Sequence, residues 1–285
     1  MTNVAASNNV LVIGAPRSGT TLVGGLLCAG NQSFPMLPEC TYITQIVRHF
    51  HDFLHYSDPQ RFAAYAIDEA KLSGMYVRMV QDMLATVLSH FQGMPYQHLI
   101  LKDPELTLLV DLIPRFFGEH SKVICVVRDP RAVTSSMVLV ERLKRLVVWR
   151  EFRQSPNWRT LSNILQQLVY ERLIAANMFN YYWRVHTSEL YKQGLVHIVR
   201  YENIVARDEE EFQRLEAFLG FPIGREGFGK VHFDFDRKDA TYSANYGKSI
   251  QPSTSDFNHV LSRWQIAKIE RVFASYNAIY KWWKK

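Results

Sequence analysis

"VIGAPRSGTTL" occupies residues 12–22, and its reading governs how the rest of the chain is understood. Set against the phosphate-loop pattern G-x-x-x-x-G-K-[ST], Gly14, Gly19 and Thr21 fall in place. Thr20 stands where the lysine is expected, and an arginine arrives early, at Arg17. The apolar run "NVLVIG" (9–14) reads as a buried strand, and "TTLVGGLLCAG" after it as a helix. A strand, a glycine turn and a helix N-terminus together offer unpaired backbone N–H groups to an anion. Ser18, Thr20 and Thr21 add hydroxyl donors, and Arg17 adds a cation suited to bidentate contact with an oxyanion. A turn rich in small residues with no ligand would carry the same glycines, so the loop has to be weighed with its surroundings.

The strand-then-helix arrangement recurs. "HLILKDP" (98–104), "KVICVVRDP" (122–130) and "LVHIVRYEN" (195–203) are apolar runs ending in charge. Helical patterns fall at 41–55, 61–91, 105–117, 131–147, 158–190, 207–219 and 257–283. Fully apolar strands separated by helices predict a three-layer α/β fold, with a central parallel sheet covered on both faces. In such folds ligands bind beyond the carboxyl ends of the strands. Arg17, Lys102, Arg128 and Tyr201 all fall just after a predicted strand, so four segments direct polar groups to one edge. In "VVRDPRAVTSS", Asp129 suits a helix cap and Pro130 its first turn. Ser136, eight residues beyond Arg128, then reaches the second turn, where arginine and hydroxyl can clasp a second phosphate. A surface arginine beside a well-capped helix is the plainer alternative.

The chain has 285 residues, 47% of them hydrophobic, enough for a large core. No Pro/Gly-rich linker or repeat divides it, so a single domain over 1–285 is expected. A formal charge of +6 favours anionic partners. The basic residues form no long cluster and match no nucleic-acid motif, so no nucleic acid is expected. Cys28, Cys40 and Cys125 are widely spaced with no C-x-x-C pair. They read as reduced thiols of a soluble cytoplasmic protein rather than a disulfide framework or metal site. No signal peptide or transmembrane segment is visible in the sequence.

Taken together, these motifs resemble the sulfotransferases that use 3′-phosphoadenosine 5′-phosphosulfate (PAPS). "PRSGTTL" is similar to their 5′-phosphosulfate loop, and "VVRDPRAVTSS" to their 3′-phosphate motif, with Arg128 and Ser136 matching its two contacts. "VRYENIVARDEEEFQRLEAFLGFP" resembles the Y-E-[DN]-L segment, whose tyrosine, here Tyr201, lies near the adenine. The stretch from "HLILKDP" to "RDPRAVTSS" is similar to tyrosylprotein and related sulfotransferases. The likeness covers most of 9–222. It implies PAPS as co-substrate, with no metal, and a nucleotide held by Arg17, Ser18, Gly19, Thr20, Thr21, Arg128, Ser136 and Tyr201. Lys102 matches the family's catalytic lysine, and Arg17 would share the sulfonate and 5′-phosphate oxygens. Lys102 could instead pair with Asp103. The histidine that serves as base in phenol and steroid enzymes is replaced by Pro104. Glu39, in "LPECTYI", fits the glutamate that tyrosylprotein and some bacterial relatives use, ahead of Glu105, Asp103 and His49. A loop at 240–256 would cover the nucleotide, with Lys248 and Ser249 at the 3′-phosphate.

The segment 141–190, basic and rich in tryptophan, is expected to line the acceptor side, for a small-molecule, glycan, lipid or peptide acceptor. "YNAIYKWWKK" reads as a packed terminal helix. Two rivals remain open at this level, a P-loop kinase and a non-catalytic nucleotide-binding protein of the same fold. The missing loop lysine weighs against the first, and intact Lys102 and Glu39 weigh against the second.

Overall fold

A computed structural model describes residues 8–66, 68–154, 158–225 and 256–284. Four parallel strands, β1 (Asn8–Gly14), β2 (His98–Lys102), β3 (Lys122–Val127) and β4 (Val196–Arg200), form a sheet in the order β2-β1-β3-β4. The helices in chain order are α1 (Thr20–Cys28), α2 (Thr41–Tyr56), α3 (Pro59–Tyr65), α4 (Glu69–Ser89), α5 (Ile113–Phe117), α6 (Pro130–Gln154), α7 (Trp158–Thr187), α8 (Glu189–Lys192), α9 (Tyr201–Val205), α10 (Glu209–Leu219), α11 (Arg263–Val272) and α12 (Ala274–Tyr280). Short 3-10 segments lie at Pro104–Leu112 and Phe257–His259.

The strands are apolar on both sides because both sides are covered. Leu11, Ile13, Leu99, Leu101, Val123 and Cys125 face one core, shared with Val47 and Phe50 of α2, Leu84 of α4, Phe116 of α5 and Met178 of α7. Val10, Val12, Ile100, Ile124 and Val126 face the other, closed by Leu26 and Leu27 of α1 and Phe212 and Leu215 of α10. This period-two alternation is what a pleated strand imposes. The result is the expected three-layer α/β architecture.

Register aligns the carboxyl ends. Val12 lies opposite Lys102, Gly14 opposite Val126, and Val127 opposite Arg200. The strand order reverses direction between β1 and β3, which is the switch point where open α/β sheets leave a crevice. The loops after these two strands carry Arg17 and Arg128.

Several predicted elements are divided in the structure, some of them at a residue whose side chain caps the next helix. The helix expected over 61–91 is two, because Asp58 caps α3 with Pro59 behind it and Asp68 caps α4. The helix expected over 105–117 is a 3-10 segment kinked at Leu109, followed by α5. Ser188 ends the run expected over 158–190 by capping α8. Tyr201, expected just after a strand, follows β4 directly and is the first residue of α9. The helix expected over 257–283 is broken into the 3-10 turn, α11 and α12. Its last residues are not helical. Lys281 turns left-handed at φ 54, and Asn277 holds the Trp283 backbone with two side-chain bonds of 3.0 Å. Among the described residues, no helix is long and apolar enough to cross a membrane.

Candidate active site

The loop begins where Gly14 closes β1 at φ 142, and a Cβ there would lie 2.4 Å from the Val126 carbonyl oxygen. Thr107, on the 3-10 segment, accepts the Gly14 N–H at 2.8 Å and donates to the Gly14 carbonyl at 3.1 Å. One hydroxyl thus anchors the start of the loop to the 3-10 segment that follows β2. Arg17 follows with φ 69, left-handed backbone that costs a non-glycine residue about 1–3 kcal/mol. That conformation has two results. The Arg17 carbonyl accepts from Arg128 Nη1 at 3.1 Å, and Arg17 Nε donates to Ser136 Oγ at 3.0 Å.

Gly19 precedes α1 at φ 105, and a Cβ on it would come 2.3 Å from the Tyr201 ring. The Arg128 guanidinium also lies over the Tyr201 ring, 4.3 Å from its centroid. α1 itself has no side-chain cap, so the N–H groups of its first turn are left for a ligand or water. The Ser18 hydroxyl is buried with no hydrogen-bond partner among the described residues. Neither Arg17 nor Arg128 has a carboxylate within ion-pair distance among the described residues. An uncapped helix end, an unpartnered buried hydroxyl and two guanidiniums without counter-charge are the features an anionic ligand with two separated phosphates would satisfy.

The second half of the site is about Lys102. Its side chain is only 4% exposed, packed beside Gly24 of α1, and its ammonium donates to Glu39 Oε1 at 2.6 Å and to Thr21 Oγ1 at 3.0 Å. Lys102 therefore pairs with Glu39 and not with Asp103. Asp103 is spent on capping the 3-10 segment through the Glu105 N–H at 2.9 Å. Burial pushes the Asp103 carboxyl above its ordinary range. Glu39 reaches Lys102 because the Cys40 N–H bonds the Lys102 carbonyl at 3.0 Å, tying the segment before α2 to the end of β2. Glu39 remains 42% exposed at its side chain, so it faces both the buried ammonium and solvent.

The other carboxylates and the histidine weighed as bases are engaged elsewhere. Glu105 accepts from Arg48 at 2.7 Å and from the Tyr181 hydroxyl. His49 Nδ1 is 2.5 Å from the Tyr76 hydroxyl. Lys248 and Ser249, with residues 240–255 of the expected covering loop, lie outside the described residues. In the 141–190 segment, Leu143, Leu146, Val147 and Trp149 of α6 are exposed, as is Trp183 of α7. Among the described residues no group of three or more His, Cys, Asp or Glu side chains is arranged to hold a metal ion.

Three contacts escaped sequence reasoning. Thr107 ties down Gly14 from 93 positions away. Glu202 Oε1 accepts the Asp129 N–H at 2.7 Å, and Tyr182 bonds the Arg128 backbone. Glu202 stands in the quoted Y-E-N stretch, which was its one available signal. Thr107 and Tyr182 carried none, because only the tertiary fold sets them beside their partners.

Solved structures with the same fold include the sulfotransferase domain from the curacin biosynthetic pathway, with 16% identity, TM-score 0.53, and coverage of 94% of this chain and 96% of that one. A Mycobacterium avium sulfotransferase matches at 16% identity and TM-score 0.52, over 96% of this chain and 77% of that one. The sulfotransferase domain of the Synechococcus olefin synthase matches at 14% identity and TM-score 0.51, over 94% of this chain and 95% of that one. No curated protein sequence matches the chain significantly. A family model described as the sulfotransferase family matches residues 9–225, which span the loop, both strand-end cations and Tyr201. The chain belongs to the sulfotransferase family.

Proposed function

We propose that the chain moves the sulfuryl group of PAPS to a hydroxyl, or an amine, of an acceptor by in-line displacement. The observation that carries this reading is the double contact of Lys102, whose ammonium touches Thr21 of the phosphate loop at 3.0 Å and Glu39 at 2.6 Å. A cation at that junction lies between the loop and a carboxylate that also faces solvent.

The residues divide the work. Arg17, Ser18, Gly19, Thr20 and Thr21 hold the 5′-phosphosulfate end through backbone N–H groups, hydroxyls and the guanidinium. Arg128 and Ser136 hold the 3′-phosphate, and Tyr201 flanks the adenine. The donor supplies a sulfur–oxygen bond whose leaving group is a phosphate oxygen. As in phosphoryl transfer, such a loose displacement is accelerated mainly by positioning and electrostatics. Lys102 and Arg17 stabilise the negative charge that gathers on the leaving oxygen. Glu39 takes the proton of the acceptor hydroxyl while the new oxygen–sulfur bond forms and the sulfur–phosphate-oxygen bond breaks. The acceptor enters from the solvent side of Glu39, where Tyr42 is 78% exposed.

The test is binding followed by turnover. Calorimetry should show 3′-phosphoadenosine 5′-phosphate binding to the wild type, and labelled PAPS should pass its label to a compound in a panel of phenols, alcohols, amines and peptides. Absence of nucleotide binding overturns the reading. Transfer of phosphate from ATP with magnesium would replace it with a kinase.

A further inference from the structure

The Arg128 guanidinium points into the site, yet the peptide that carries it is fixed from behind. The Tyr182 hydroxyl, on α7 and almost wholly buried, accepts the Arg128 N–H at 3.2 Å and donates to the Arg128 carbonyl. One side-chain hydroxyl therefore satisfies both backbone groups of a single residue, just beyond the last residue of β3. Glu202 holds the next N–H, that of Asp129, from the α9 side.

Tyr182 is itself held by the C-terminal tail. Its ring packs edge-on against Phe273 at 5.1 Å and Trp282 at 5.9 Å. One turn along α7, His186 Nδ1 lies 2.7 Å from the Tyr182 carbonyl and Nε2 lies 2.6 Å from the Tyr280 hydroxyl. A carbonyl can only accept, so Nδ1 carries the proton and the Tyr280 hydroxyl donates to Nε2. The tail also grips the same motif at its other end. The Arg131 guanidinium lies 4.6 Å from the rings of both Phe257 and Trp283 and is paired with Asp129 at 2.7 Å.

We infer that Tyr182 is a positioning residue for Arg128, and that Tyr280, acting through His186, holds Tyr182 in place. Together they aim the guanidinium and so set the preference for a nucleotide bearing a 3′-phosphate. This rests on the proposed assignment of Arg128 to the 3′-phosphate. Removing the Tyr182 hydroxyl leaves the buried N–H and C=O of one residue, Arg128, without that partner, with the aromatic packing kept.

The experiment compares binding of 3′-phosphoadenosine 5′-phosphate and adenosine 5′-phosphate to the wild type, Tyr182→Phe and Tyr280→Phe. Tyr182→Phe is expected to weaken the bisphosphate about tenfold and to change the monophosphate less than about twofold. Tyr280→Phe, one link further away, should show the same selectivity with an effect of about threefold. Equal weakening of both nucleotides, or no change, overturns the inference, since a merely structural role would not single out the 3′-phosphate. Should Tyr182→Phe fail to fold, Tyr280→Phe decides by the same criterion. A wild type that binds the two nucleotides equally overturns the Arg128 assignment and this inference with it. A wild type that discriminates, with variants that discriminate as well, overturns this inference alone.

Discussion

The two ends of the site treat charge in opposite ways. At one end Arg17 and Arg128 lie together, linked through the Arg17 carbonyl, with no carboxylate in ion-pair distance among the described residues. At the other end the buried Lys102 is already neutralised by Glu39 at 2.6 Å. The first end is an electrostatic deficit, and binding a polyanion there relieves it without breaking an existing pair. The second end is balanced before anything binds. In the proposed reaction, charge developing there would compete with Glu39 for the ammonium and release the carboxylate to accept a proton. An affinity end and a transfer end should therefore respond differently to the loss of a charge.

The largest separation is expected from Lys102→Met, which keeps the stem against Gly24 and removes the charge. It should lower kcat by about 10³-fold while the Kd of 3′-phosphoadenosine 5′-phosphate stays within about threefold. Loss of binding in proportion to kcat would erase the distinction between the two ends. Glu39→Gln should follow, with about 10²-fold lower kcat and an unchanged nucleotide Kd, measured by the same label-transfer assay. Near-normal turnover in this variant would remove Glu39 as the base. Arg128→Ala is the converse probe. Calorimetry should find the bisphosphate bound about 30-fold more weakly, and saturating donor should restore most of kcat.

Gly19→Ala reports on the wedge between loop and adenine side, because the new methyl would meet the Tyr201 ring at 2.3 Å and must also adopt φ 105. Nucleotide affinity should fall about tenfold, for the bisphosphate and adenosine 5′-phosphate alike. Selective loss of one nucleotide would show that Tyr201 serves a single phosphate rather than the loop as a whole.

The smallest effect concerns stability. His197 stacks on Phe218 at 5.1 Å, and burial holds it below the ordinary histidine range. The unfolded chain, with histidine near pH 6.5, then binds the proton first as pH falls. Its stabilising contribution is present above about pH 6.5 and is lost on acidification. Thermal melts of wild type and His197→Phe should therefore diverge as pH drops below about 6.5, the wild type losing more. Buried Asp103 and Glu202, whose carboxyls are raised by burial, act with the opposite sign, but equally in both proteins. Parallel curves would show that His197 is not responsible.

The local structure around the candidate site was largely legible in the chain. "VIGAPRSGTTL" announced a strand, a turn and a helix start, because glycine spacing and apolar runs act over a few residues. The four strand-end residues, Arg17, Lys102, Arg128 and Tyr201, could be assigned to one edge, since a parallel sheet puts every strand's carboxyl end on the same side. Helix ends were less legible, as at Asp68 and Ser188, where one capping side chain cuts a long periodic run in two. "YNAIYKWWKK" reads as helix throughout, and it is helix only as far as Tyr280. Its aromatics suit a helix, but the Asn277 side chain and the packing of Trp283 against Arg131 hold residues 281–283 in another course.

What the tertiary structure alone decided is which charges meet. Lysine beside aspartate in "LKDP" suggests a local pair, yet Lys102 and Asp103 point to opposite duties because neighbouring residues at a strand end face different sides. Glu39 finds Lys102 across 63 positions, Thr107 finds Gly14 across 93, and Tyr182 finds Arg128 across 54. Periodicity and motif spacing carry information only along the chain. Partners separated by whole helices are chosen by how the layers pack, and that packing determines whether a cation is left free for a ligand or already matched by a carboxylate.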